Sequence, residues 1–231
     1  MSAYKFSIVF LLLLCRSLPD YAQQEKDSRL HPIGNSWGFY QDSDTTQKKR
    51  VLLIGDSILG GYLEWVKNAL GSNVSVDYWI TGLNERSAEL FPYLRQIMLH
   101  GPYDVIHFNI GLHGWAKGRV EDSQYATIMQ QYVSILKKGS PKACLIWATT
   151  TPVTVKGEPS KLNDEITPII VRRNKMALKV MKKNHVKVND LYSLMQKNLS
   201  MALGDMFHWR QEGVKLEGNA VAGIVRKNLS K

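Results

Sequence analysis

From Arg50 onward the chain alternates between short apolar runs and longer segments with helical spacing, and this rhythm constrains the fold more than any other feature. The run Val51-Leu52-Leu53-Ile54 stops at Gly55, after which Leu59, Tyr62, Leu63, Val66 and Leu70 recur at helical spacing up to Gly71. The same alternation predicts a strand over Val74 to Ile80 and a helix over Glu85 to Leu99. A strand over Val105 to Ile110 and a helix over Ser123 to Lys138 follow. A fourth strand, Cys144 to Ala148, leads through a polar loop to a basic helix over Pro168 to Asn184, with Thr167 as its cap and Pro168 at the first helical position. A short strand, Val186 to Val188, and a last helix from Gln211 close the chain. Strands that read as continuous apolar runs between helices belong to parallel sheets covered on both faces. The expected fold class is therefore α/β, a three-layer αβα sandwich around a mostly parallel five-stranded sheet. In such sheets ligands bind beyond the carboxyl ends of the strands, so chemistry is expected in the loops that follow them.

At 231 residues, with 44% hydrophobic and 22% charged side chains, the chain has the composition of an ordinary globular domain. The net charge is +10, but the 30 Lys and Arg are dispersed and form no long block, which argues against a nucleic-acid partner. Lys5 precedes an apolar run from Phe6 to Cys15 that is too short for a membrane span, which needs about 20 residues. With the small residue Ala22 ahead of a plausible cut, this pattern predicts a secretory signal peptide over residues 1–22. Residues 23–49 then form an N-terminal arm, and residues 50–231 the folded domain. The expected location is secreted or periplasmic, without stable membrane insertion after cleavage. Cys15 leaves with the signal, so Cys144 stands alone and reads as a small hydrophobe on a core strand. No CxxC pair, HExxH helix or cluster at ligand spacing is present, and neither metal nor other cofactor is expected.

The loop after the first strand reads Gly55-Asp56-Ser57-Ile58 and places a hydroxyl at a strand end and a helix start. Free N–H groups and the positive end of the helix dipole there suit a developing oxyanion, although Asp56 or Ser57 also reads as a simple N-cap. Of the six histidines, His31, His100, His107 and His185 sit in arm, helix-end or strand contexts that read as structural. His208 differs because Asp205 precedes it by three residues, in a loop between helical stretches near the C-terminus. Such a carboxylate can hold Nδ1–H and leave Nε2 free to take a serine proton.

A Gly-Asp-Ser after the first strand and an Asp-x-x-His before the last helix resemble the SGNH (GDSL-type) hydrolase family, in a secreted, carbohydrate-esterase-like subgroup. The segments Arg50 to Tyr62, Tyr103 to His113, Leu145 to Pro152 and Asn189 to Tyr192 carry the same likeness. It implies a flavodoxin-like SGNH fold and a serine ester hydrolase in which Ser57, His208 and Asp205 are catalytic. The family's glycine after the second strand corresponds to Gly82. Its Gly-x-Asn-Asp after the third corresponds to Gly111-Leu112-His113-Gly114, where His113 replaces asparagine and Gly114 replaces aspartate. The resemblance thus implies an oxyanion hole from Ser57 and Gly82, with His113 as third donor and Asn109 as a less well placed substitute. Trp115 and Trp209 follow these blocks and could wall a sugar site. Lys117, Arg119 and Arg210 would favour an acidic polymer or simply be solvated. The expected substrate is a short acyl or methyl ester, on an acylated carbohydrate or another small ester. A non-catalytic carbohydrate-binding relative and a lipase or thioesterase are the alternatives.

Overall fold

The computed structural model describes residues 38–42, 48–116 and 118–229. The signal-peptide segment, most of the arm, His31 and Lys117 lie outside the described residues. Strands β1 (Gly38–Tyr40), β2 (Lys49–Gly55), β3 (Val74–Ile80), β4 (Val105–Phe108), β5 (Cys144–Ala148) and β8 (Lys187–Asn189) form one sheet. Its order is β1-β3-β2-β4-β5-β8, and all pairs are parallel except the antiparallel β1–β3 edge. The helices are α1 (Ser57–Leu70), α2 (Leu90–Met98), α3 (Asp122–Gly139), α4 (Thr167–Lys183), α5 (Leu191–Gln196) and α6 (Gln211–Leu229). The sheet has six strands rather than the five expected, because Gly38–Tyr40 from the arm adds an edge strand. Three residues are too few to show alternation. What holds them is tertiary: Phe39 packs on the core, and Tyr40 stacks on Tyr78 with ring centroids 4.8 Å apart.

Successive residues of β2 point to opposite faces and enter two different cores. Leu52 and Ile54 join Phe108, Trp147 and residues of α2, α3 and α4, whereas Val51 and Leu53 join Ile146, Ala148 and residues of α1 and α6. This two-sided burial explains why each strand reads as an unbroken apolar run. On the second face α1 and α6 approach closely at Gly218, where an added Cβ would lie 2.7 Å from Cβ of Trp65. Gly218→Ala is therefore expected to overpack the helix pair and lower unfolding stability by about 1–3 kcal/mol. A denaturation midpoint equal to wild type would refute the close packing.

Three local expectations are corrected. The helix expected from Glu85 begins at Leu90, because Glu85 turns inward and is buried while Pro92 suits only a first turn. Thr167 is not the cap of α4. Ile166 occupies the N-cap position, and Asn163 Oδ1 accepts from the N–H groups of Glu165 (3.1 Å) and Ile166 (2.9 Å), while the Thr167 hydroxyl donates to the Val153 carbonyl at 3.2 Å. The loop after β5 contains a hairpin, β6 (Thr154–Val155) with β7 (Glu158–Leu162), turned at Gly157, whose φ is 80°.

The chain leaves β2 to form β3 on one side and then crosses to β4 on the other. A crevice opens at such a switch point, outside the carboxyl end of the central strand. Ser57 is the first helical residue beyond that end.

Candidate active site

Asp56 has extended backbone and caps α1, its Oδ1 accepting from the Ile58 N–H at 2.9 Å. The cap is thus Asp56, which leaves the Ser57 hydroxyl available. That hydroxyl oxygen lies 2.8 Å from Nε2 of His208, and Nδ1 of the same ring lies 2.5 Å from Oδ2 of Asp205. Ser57 and His208 are buried, and they are separated by 151 positions in sequence. Burial pushes the Asp205 carboxyl up, but hydrogen bonds from the His208 ring and from the N–H groups of His208 (2.9 Å) and Phe207 (3.0 Å) outweigh it and hold the group below the usual carboxylate range. A depressed folded-state pKa adds stability above the unfolded value of about 3.9 and loses it as pH falls through the folded value. Wild type is therefore expected to lose stability faster than Asp205→Asn below about pH 4. Parallel acid limbs in denaturation at a series of pH values would contradict this.

The segment carrying His208 is clamped from two sides. An isolated bridge pairs Ala202 with Trp209, and Leu203 N–H donates to the His208 carbonyl at 2.8 Å. From the hairpin, Thr154 N–H donates to the Met206 carbonyl and Gly157 N–H to that of Gly204, each at 2.9 Å. Met206 is held at φ 94°, which a branched or long side chain adopts only when its surroundings impose it. Leu112, Val153, Ile166, Ile170 and Phe207 form a separate apolar cluster that ties this segment to the loop after β4.

The ends of the three central strands meet around one small cavity lined by Asp56, Thr81, Leu83, Asn109, Gly111 and His113. Thr81 and Leu83 flank Gly82, and among the described residues nothing accepts a hydrogen bond from the Gly82 N–H. His113 lies in the single turn Leu112–Gly114 and is half-buried. Burial pushes its imidazole below the ordinary value, with Arg119 and His208 acting in the same direction and Asp56 against them. The ring is therefore neutral near pH 7 and carries one N–H. Asn109 does not face this space as a free donor: its amide nitrogen donates to the Ala148 carbonyl at 2.8 Å and reaches Thr150 Oγ1 at 3.4 Å.

The two tryptophans separate. Trp115 is half-buried with its ring centroid 6.4 Å from that of Phe207. Trp209 is a correction, since it is 6% exposed and packs with Met195 and Ala202, so it belongs to a small core rather than a wall open to ligand. The remaining described histidines have other surroundings. His107 is fully buried on β4 with Nε2 3.2 Å from Asn189 Nδ2, and burial pushes its pKa down to about 3. His100 contacts Gln41, and His185 follows α4 at φ 54°. Cys144 is half-buried at the start of β5, less enclosed than a core strand would suggest. Arg119 donates to the His113 carbonyl at 2.6 Å, and Arg210 is exposed.

Sequence reading missed Glu85 and Arg173, both buried beside the His113 turn. Arg173 had a visible signal, because it occupies the apolar stripe Ile170, Ala177, Val180 of α4. A cation in such a stripe needs buried partners, and here it donates to the carbonyls of Gly114 (2.5 Å) and Val120 (2.6 Å).

Among the described residues no helix is long and apolar enough to cross a membrane. No protein-family model and no curated protein matches the chain. Solved structures share its fold. A lipase/acylhydrolase from Enterococcus faecalis is 19% identical with a TM-score of 0.65, over 78% of this chain and 96% of that one. The acetyl xylan esterase AlAXEase is 17% identical with a TM-score of 0.64, over 76% and 99%. A variant of an acetyl xylan esterase from Geobacillus stearothermophilus is 16% identical with a TM-score of 0.64, over 78% and 94%.

Proposed function

We propose that this chain is a serine ester hydrolase of the SGNH type, acting outside the cytoplasm on short acyl or methyl esters of carbohydrate. The observation that carries the reading is the continuous hydrogen-bonded line Ser57–His208–Asp205, assembled at the switch point of the sheet. In this mechanism His208 Nε2 takes the Ser57 proton as Oγ bonds to the ester carbonyl carbon. His208 then returns the proton to the departing alkoxide, leaving an acyl-enzyme and a free alcohol. Water, deprotonated by the same nitrogen, cleaves the acyl-enzyme to the acid and restores Ser57. Asp205 holds the tautomer with Nδ1–H and stabilises the imidazolium that forms. The N–H groups of Ser57 and Gly82 and the ring of His113 receive the oxyanion.

Two of the fold neighbours are called acetyl xylan esterases, which supports a short acyl group on a polysaccharide. Trp115, at the end of the His113 turn, is the aromatic face best placed to stack on a sugar. The N-terminal pattern of Lys5 followed by Phe6 to Cys15 supports export.

The test is a series of p-nitrophenyl esters from acetate to decanoate, beside acetylated and methyl-esterified polysaccharides. The expected result is kcat/KM highest for acetate, with release of acetate or methanol from a polymer. A preference for decanoate would assign a lipase instead, and no turnover of any ester by folded protein would remove the hydrolase reading.

A further inference from the structure

Glu85 is 2% exposed, in the loop between β3 and α2, and among the described residues neither carboxylate oxygen accepts a hydrogen bond from another residue. A buried carboxyl in that state is expensive, so its presence calls for a reason. Its surroundings supply one. An ideal Cβ on Gly114 would collide with Oε2 of Glu85 and lie 2.9 Å from the carboxyl carbon and 3.2 Å from Oε1, whereas one on Gly111 would first meet Thr150 Oγ1 at 2.6 Å and only then Oε1 of Glu85, at 3.7 Å. The carboxyl group therefore packs directly against the backbone of the turn that carries His113. Two cations hold the carbonyls of the same turn: Arg119 on that of His113 and Arg173 on that of Gly114. Burial, with the Asp56 charge, pushes the Glu85 carboxyl up and outweighs its own backbone N–H and the guanidinium groups of Arg173 and Arg119, which favour the ionised form.

We propose that Glu85 is the positioning residue of the His113 turn. Its carboxyl group fills the side-chain space that Gly114 leaves empty and, opposite Arg119 and Arg173, fixes Leu112–Gly114 so that His113 meets the oxyanion. Gly114 and Glu85 form one unit: a side chain at 114 and a carboxyl at 85 compete for the same volume. The kinetic consequence rests on the serine-hydrolase reading, whereas the placement does not.

The experiment compares wild type, Glu85→Ala, Glu85→Gln, Gly114→Asp and the double variant Glu85→Ala/Gly114→Asp by thermal melting, amide hydrogen exchange and turnover of p-nitrophenyl acetate. Gly114→Asp is expected to lower Tm by about 3–10 °C through overpacking. Most of that loss should disappear when Glu85 is Ala. Glu85→Ala should speed exchange of the amides at 112 to 115 at least about tenfold, which corresponds to about 1.4 kcal/mol of local opening. It should also reduce kcat about 10²-fold with KM near wild type, as misplacement of a reacting group does. The double variant, which returns a carboxylate to the same space, should recover most of kcat. Glu85→Gln keeps the shape but loses the charge and should fall between wild type and Ala; if Glu85→Ala does not fold, this variant decides. Equal destabilisation by Gly114→Asp in both backgrounds, or wild-type exchange and kcat in the Glu85 variants, overturns the proposal. If wild type itself turns over no ester, the hydrolase reading fails, and melting and exchange still decide where Glu85 acts.

Discussion

Ser57→Ala and His208→Ala are each expected to reduce kcat by about 10⁴–10⁶-fold while leaving the folded state and its Tm close to wild type. The size follows from the chemistry. Without Oγ there is no acyl-enzyme, and without Nε2 the hydroxyl keeps its proton at neutral pH. Neither side chain is a main support of the fold: Ser57 follows the Asp56 cap, and His208 is held through its backbone, which both Asp205 and Leu203 engage. Because the two groups share one proton transfer 2.8 Å long, their losses should not add. Steady-state kinetics of the double variant checks this, and a rate far below the slower single variant would mean that they act in separate steps.

The second large effect belongs to His113. Its neutral ring carries one N–H, and the residue lines the cavity shared with Asp56 and the residues flanking Gly82. Asn109, the other side chain at this strand end, already directs its two amide hydrogens to the Ala148 carbonyl and Thr150 Oγ1 and cannot take its place without giving one of them up. Removal of one oxyanion donor costs about 10²–10³-fold in kcat, or about 2.7–4 kcal/mol. His113→Ala is therefore expected to lower kcat by about that factor with KM nearly unchanged. Single-turnover and steady-state rates on an acetyl ester provide the check. A folded variant with wild-type kcat would leave the backbone N–H groups as the only oxyanion donors.

Local signals carried the parts of the structure that are locally determined. The strands β2 to β5 are buried on both faces, so composition alone marks them, and Gly71 marks the end of α1, where its N–H donates to the Lys67 carbonyl at 3.1 Å. Elements stabilised from elsewhere were silent. β1 is an edge strand of three residues, β6–β7 a small hairpin bonded to the His208 segment, and α5 a helix of six residues capped by Asp190, whose Oδ1 accepts from Ser193 N–H at 3.1 Å.

The candidate site divides the same way. Asp205 and His208 are three residues apart in one loop and Asp56 caps the helix of Ser57, so short motifs reveal them; the contact between the two motifs is long-range. Trp209 misled because adjacency to His208 says nothing about which way its ring points, and it packs inward under α6. The strand–helix alternation put Glu85 at the start of a helix, and only the three-dimensional structure shows Gly114 making room for its carboxyl group.

Whether Ser57 is a nucleophile is decided by intact-mass and peptide analysis of the protein after reaction with a fluorophosphonate. A nucleophilic serine aligned with a general base forms a stable phosphonyl ester by displacing fluoride, whereas an ordinary helix-capping serine does not react. One adduct per chain is expected, mapped to Ser57, with no adduct in Ser57→Ala or in His208→Ala over the same interval. Folded wild type that stays unmodified, or an adduct on any other residue, would contradict it.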